Sequence, residues 1–130
     1  MEQEYYEELI KPWFAPPSEV FGIAWGIIYP IIIISFLYVF YLGFKKEIPF
    51  KVVLPFILNL VFNLAFTPIQ FGLQNNILAL IDIFLVIITL VWAMIVIYPY
   101  RPVVMYAQIP YVLWGLFATI LQLSITYLNW

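Results

Sequence analysis

The chain has 130 residues with a net charge of −2; 66% of it is hydrophobic, only 9% is charged, and it contains neither Cys nor His. Five Lys and Arg without a basic stripe exclude a nucleic-acid footprint. The missing thiol and imidazole exclude disulfides, a Ser-His-Asp triad, zinc-thiolate sites and the usual haem ligands, so no metal and no resident cofactor is expected.

The first segment, 1–18, begins Met1-Glu2-Gln3-Glu4-Tyr5-Tyr6 and lacks the basic start and apolar core of a signal peptide. Its aromatics and Pro16-Pro17 describe an amphipathic N-terminal flap, extended where it enters the first helix. Ser18 is placed to cap that helix, with Glu19 in the first turn. Residues 19–130 then form the transmembrane bundle.

A bilayer core of about 30 Å needs roughly 20 helical residues. Four apolar blocks meet that length, at about 20–42, 52–71, 77–98 and 103–128. The breaks between them carry Gly, Pro, Asn and charge: Gly43 to Lys51, Gly72 to Asn76, and Pro99 to Pro102. Links this short make neighbours antiparallel, which predicts an all-α integral membrane protein, an up-down transmembrane helix bundle. Strands of a membrane barrel would alternate in polarity, and these runs do not. Lys45, Lys46, Lys51 and Arg101 fall on the first and third links, against Lys11 elsewhere. The positive-inside rule therefore places the 43–51 and 99–102 links in the cytoplasm, and both termini outside.

Within the first span Trp25 and Tyr29 share a helix face, and Gly22 to Gly26 is a GxxxG able to support a dimer contact. In the second span Asn59, Asn63, Phe66 and Gln70 recur at i, i+4, i+7 and i+11, laying three amides and a ring on one inward face. Either they join helices by hydrogen bonds or they line a pocket. In the third span Asp82 is the only acid well inside a span, and a carboxyl there is a functional-site candidate or a structural hydrogen-bonding group. The fourth span puts Pro110, Tyr111, Trp114, Phe117, Ala118 and Leu121 on one face. Tyr98, Tyr100, Tyr106, Tyr127 and Trp130 suit interfacial anchoring, whereas Trp114 lies near mid-bilayer, where its indole N–H needs an internal acceptor.

Several motifs occur in a fixed order: Lys11-Pro12-Trp13-Phe14-Ala15-Pro16-Pro17, Val20-Phe21-Gly22 with Trp25, Leu58-Asn59, Ala79-Leu80-Ile81-Asp82, Pro110-Tyr111, Trp114 and Phe117-Ala118-Thr119. Together they resemble the TspO/MBR family, the tryptophan-rich sensory proteins and translocator proteins also known as peripheral-type benzodiazepine receptors. The resemblance implies five spans. This chain opens at what would be the loop after the first, so four spans are present and one flank faces lipid or a partner.

It also implies a pocket near the outer end of the bundle, covered by the Pro-Pro segment, that takes porphyrins such as protoporphyrin IX, sterols, or benzodiazepine and isoquinoline-carboxamide ligands. Matching positions are Tyr6, Pro16, Trp25, Tyr29, Asn59, Phe66, Gln70, Val86, Trp114 and Ala118. In that reading Trp25 and Asn59 contact the ligand's polar edge, and Trp114, Phe66 and Tyr29 form apolar walls. After Tyr127 no basic residue completes the sterol pattern, so porphyrin is the favoured ligand. Without His or Cys the site would favour a metal-free ring. Trp25 and Trp114 are the photochemical candidates for light-dependent porphyrin breakdown, the one turnover the resemblance allows. Expected partners are a porphyrin or other hydrophobic small molecule and the lipid membrane. A homodimer, or a partner helix in place of the first span, would cover the open flank. The rival readings are a small multidrug-type transporter, which wants a mid-membrane carboxylate, and a structural or assembly subunit.

Overall fold

The computed structural model describes residues 9, 13–15 and 17–128, without the side chains of Ser18, Thr67, Gln70 and Phe71. Five α-helices follow one another: α1 (Ser18–Phe44), α2 (Phe50–Thr67), α3 (Asn76–Ile97), α4 (Pro102–Ala107) and α5 (Ile109–Leu128); a π-helical turn, Pro68–Gly72, follows α2. There is no strand among the described residues. Helices Glu19–Phe44 and Asn76–Ile97, and the α4–α5 unit Pro102–Leu128, are long and apolar enough to cross a membrane, and Phe50–Phe66 is a shorter apolar helix. The α1 helix of 27 residues spans roughly 40 Å at 1.5 Å per residue, more than a hydrocarbon core requires.

The outward faces are as apolar as the interior. Ile34, Leu64, Ile88, Ile95, Leu113 and Ile120 all lie exposed along the spans. A water-soluble protein would not carry apolar surface on every helix, whereas lipid solvates it at no cost. Inside, α3 is the central element, packed most extensively on α2 and then on α5, while α1 closes against α2, α4 and α5. Ile32, Phe36, Val39, Phe56, Val86, Leu90 and Ala93 form the buried core.

Local chemistry sets the ends and interruptions of these helices. At the start of α1 the cap position is Pro17, not Ser18, with no side-chain capping bond. Pro17 sits at φ −58° and ψ 153°, the extended approach that a proline pair enforces, and the helix starts at Ser18, one residue earlier than a Ser18 cap would set it. The other end of α1 closes in a Schellman arrangement: Lys46 N–H donates to Gly43 C=O (3.0 Å) and Glu47 N–H to Leu42 C=O (2.9 Å). Lys46 takes φ 60° there, where glycine would be least strained. At α3, Asn75 supplies a true cap, its Oδ1 accepting from Leu78 N–H at 2.9 Å.

Two expectations about the spans change. The α-helical register of the second span ends at Thr67, not Phe71, and Pro68 opens the π-helical turn, with Leu73 N–H donating to Pro68 C=O at 2.9 Å. Proline has no N–H and its ring crowds the preceding turn, so the backbone adopts the wider register. The fourth span divides at Gln108, where Pro110 deprives Tyr106 C=O of its usual donor. Gln108 N–H donates to Met105 C=O and Val112 N–H resumes the helix on Gln108 C=O.

Two glycines mark close helix approaches. A Cβ at Gly43 would meet Val53 Cγ2 at 2.7 Å, and one at Gly115 would meet Ile87 Cδ1 at 2.7 Å. Val53 is stiff and β-branched, whereas Ile87 Cδ1 is the movable tip of a longer side chain. Gly43→Ala is therefore expected to destabilise the bundle by about 1–3 kcal/mol through overpacking. Gly115→Ala should stay within about 1 kcal/mol, because gained helix propensity offsets the shift of Ile87. Detergent-unfolding curves of the two variants check this, and equal losses would refute it. Gly22 and Gly26 have open space where their side chains would be, so the GxxxG serves no helix contact among the described residues.

Candidate functional site

The inward face of α1 carries Trp25 stacked on Tyr29, with ring centroids 4.9 Å apart and planes 26° from parallel. One helical turn separates them, which places both rings on the same side. Opposite, Trp114 of α5 meets Trp25 edge-on at 6.4 Å, Phe21 at 5.7 Å and Phe117 at 5.3 Å. Tyr111 meets Trp25 at 6.5 Å, again edge to face. Phe14 of the preceding segment reaches Phe117 at 6.3 Å, and Leu9, Phe14 and Ala15 pack with Phe21 and Phe117 around Leu121 and Ile125. The flap residues that are described thus lie on α5 beside the rings. Trp13 points away and is 95% exposed.

Beneath the rings runs a chain of hydrogen bonds that crosses four helices in one direction. Tyr29 OH donates to Asn63 Oδ1 (3.2 Å), and Asn63 Nδ2 donates to Tyr111 OH (2.9 Å). Tyr111 OH donates to Asn59 Oδ1 (2.9 Å), and Asn59 Nδ2 donates to Val86 C=O (2.9 Å) and Thr89 Oγ1 (3.2 Å). Asn59 and Asn63 are one turn apart on α2, so Tyr111 fits between their amides. Lipid supplies no alternative partners, and a buried polar group must find them within the bundle.

Two polar atoms in this region remain open. Among the described residues, Trp114 Nε1 and Asp82 Oδ2 are buried without a hydrogen-bond partner, as is Gln108 Oε1 at the α4–α5 break. Asp82 is buried on α3, within electrostatic reach of Tyr111. Trp114 Nε1 is a donor and Asp82 Oδ2 an acceptor, and native interiors leave few such groups unsatisfied. Glu19 is exposed at the start of α1, so the two acids do not share an environment.

The residues singled out in the sequence fall into three sets. Trp25, Tyr29, Asn59, Asn63, Val86 and Trp114 come together through the contacts above, with Phe66 half-buried against the same core. Ala118 is half-buried on α5, while Pro110, assigned to the same face, is exposed. The reason is angular: Tyr111 takes the inward position, and its neighbour is turned about 100° away. Tyr6, Pro16 and the Gln70 side chain lie outside the described residues, as do Lys11 and Trp130. Asn59, expected at a ligand's polar edge, has both ends of its amide engaged by the bundle itself.

The sequence reading passed over Thr89, Ser35 and Gln108. Gln108 is fully buried and its Nε2 donates to Ser35 Oγ (2.8 Å) and Val104 C=O (3.2 Å). The available signal was Pro110, which marks the helix break that turns Gln108 inward. Tyr111 was placed on the right face, but its position between two asparagines follows only from the meeting of α2 and α5.

Fold and site together define a polytopic α-helical membrane protein whose interior joins an aromatic cluster to a string of amides. Residues 1–128 match the model of the TspO/MBR family. The chain is 35% identical over 130 residues to the uncharacterized membrane protein YtaB of Bacillus subtilis, covering 99% of this chain and 83% of that one. It is 33% identical to the tryptophan-rich protein TspO of Bacillus cereus, with 99% and 83% covered, and 30% identical to the tryptophan-rich sensory protein of Cereibacter sphaeroides, with 98% and 78% covered. The chain belongs to the TspO/MBR family.

Proposed function

We propose that this membrane protein binds porphyrins, protoporphyrin IX being the reference ligand, together with related flat hydrophobic molecules. The observation that carries the reading is the Trp114 indole, held among three aromatic neighbours with its N–H buried and open. A flat ring system gains from aromatic walls, and edge polar groups of such a ligand can meet an open donor and an open acceptor. Trp25, Tyr29, Phe66 and Trp114 serve as walls, and Trp114 Nε1 and Asp82 Oδ2 as the polar contacts. Asn59, Asn63 and Tyr111 act as positioning residues that hold Tyr29 and the α1–α5 distance. Tyr6, Pro16, Gln70, Val86 and Ala118 complete the lining that the family resemblance implies.

Leu9, Phe14 and Ala15, packed with Phe21 and Phe117, lie at the edge of the ring cluster, on the outer side of the membrane if the basic links face the cytoplasm. Under illumination in air the bound ring excites beside Trp25 and Trp114, and the expected outcome is oxidation of an indole by dioxygen, which is reduced or added to the ring, rather than repeated turnover.

Quenching of tryptophan fluorescence by protoporphyrin IX tests this in the detergent-solubilised chain. Trp25→Leu removes the partner of Tyr29 and one edge of Trp114, and its affinity should fall about tenfold, the scale of one aromatic contact. Trp92, exposed on α3, is the control, and Trp92→Phe should bind as the parent does. Equal affinity in the parent and Trp25→Leu would overturn the reading.

A further inference from the structure

At the other end of α1, roughly 27 Å from Trp25 at 1.5 Å per residue, the bundle holds a second concavity. It is an open cleft of about 600 Å³ between the end of α1 and the start of α2, with Phe40, Phe44, Phe50, Val53 and Ile57 among its walls and Lys46 on its rim. That volume lies within the range of ligand-binding clefts, and its lining is apolar apart from the lysine. We propose that this cleft binds an anionic glycerophospholipid, with acyl chain against the phenylalanines and phosphate at Lys46.

Charge supports that occupant. Lys45, Lys46 and Lys51, three of the five basic residues of the chain, lie within this link and the first turn of α2. The acid among them, Glu47, faces Arg101 of the α3–α4 link at 3.9 Å, and Arg101 Nε also donates to Tyr38 OH at 3.0 Å. The two basic links therefore meet at one end of the bundle, and the one nearby carboxylate is turned toward an arginine. The N-terminus of α2 adds positive potential beside Phe50. A zwitterionic headgroup would gain little from such a rim, whereas an anionic one gains from each nearby lysine. Lys46 also keeps the left-handed φ of 60° that glycine would adopt more cheaply, a local cost consistent with a need for its ammonium there. By the positive-inside rule this end faces the cytoplasmic leaflet, where anionic lipids are enriched.

The proposal does not depend on the porphyrin reading. The delipidated full chain is titrated in non-ionic detergent with palmitoyl-oleoyl phosphatidylglycerol or phosphatidylcholine, and retained lipid is counted by native mass spectrometry. Phosphatidylglycerol should be retained about tenfold more strongly than phosphatidylcholine. Lys46→Gln with Lys51→Gln should remove most of that preference, about threefold for each of the two lysines. Ile57→Trp fills the cleft from its half-exposed lipid side and should reduce retention of both lipids at unchanged helicity by circular dichroism. Equal retention of the two lipids by the parent would overturn the proposal. So would an undiminished preference in the double lysine variant, full retention by Ile57→Trp, or displacement of the lipid by free glycerol phosphate.

Discussion

Asn59→Ala is expected to destabilise the bundle by about 2–3 kcal/mol, whereas Tyr29→Phe, at the head of the same hydrogen-bond chain, should cost under about 1 kcal/mol. A hydrogen bond between membrane helices contributes only about 0.6 kcal/mol on average, because the separated helices also find partners. Leaving a buried donor without an acceptor costs more, about 1–3 kcal/mol. Truncating Asn59 strands the Tyr111 proton, removes the donor to Val86 C=O and Thr89 Oγ1, and opens a small void at a fully buried position. Tyr29→Phe deletes one 3.2 Å bond from a half-buried ring and leaves its stacking on Trp25 in place. Reversible unfolding of the chain in mixed detergent micelles measures both. If the two variants lose the same stability, the chain is a set of independent pairs and Asn59 is not its pivot.

That contrast also shows where sequence reasoning stops. The spans are legible because the bilayer imposes a length on them: the expected 77–98 is Asn76–Ile97, and the expected 20–42 is Ser18–Phe44. Face arithmetic works inside a regular helix, where Asn59 and Asn63, or Trp25 and Tyr29, fall one turn apart. It fails where the register changes. Pro68 opens a π-helical turn, and the break at Gln108 resets the fourth span, so an α-helical count does not carry across either point. Pairing between helices is also illegible, since it depends on relative height. Nothing local in the sequence tells that Tyr111 inserts between Asn59 and Asn63, or that Arg101 reaches across to Tyr38 and Glu47. Open valences are least legible of all: Trp114 and Asp82 are notable because of partners they lack, which only packing reveals.

The largest opposing effects are expected at Asp82. Asp82→Leu should stabilise the bundle by at least about 1 kcal/mol, because the substitution removes a buried acceptor that has no partner and replaces it with a side chain suited to lipid and core alike. A carboxylate at the centre of a span costs about 2.5–3.5 kcal/mol, and placement near the start of α3 reduces that penalty. The same variant should bind protoporphyrin IX about tenfold more weakly, since it removes the open acceptor assigned to the ligand's polar edge. Stability and affinity moving in opposite directions is the signature of a group retained for binding. Both moving down would instead make Asp82 a structural residue whose packing outweighs its open oxygen, and would remove it from the site. Asp82→Asn separates the multidrug-transporter reading: a proton-coupled exchanger would lose ethidium efflux with that change alone, whereas a porphyrin-binding protein should show no such efflux before or after it. Because Trp114 supplies a donor and Asp82 an acceptor, a second variant, Trp114→Phe, should weaken binding to a similar degree without the gain in stability, as it also reduces the contacts with Trp25 and Phe21.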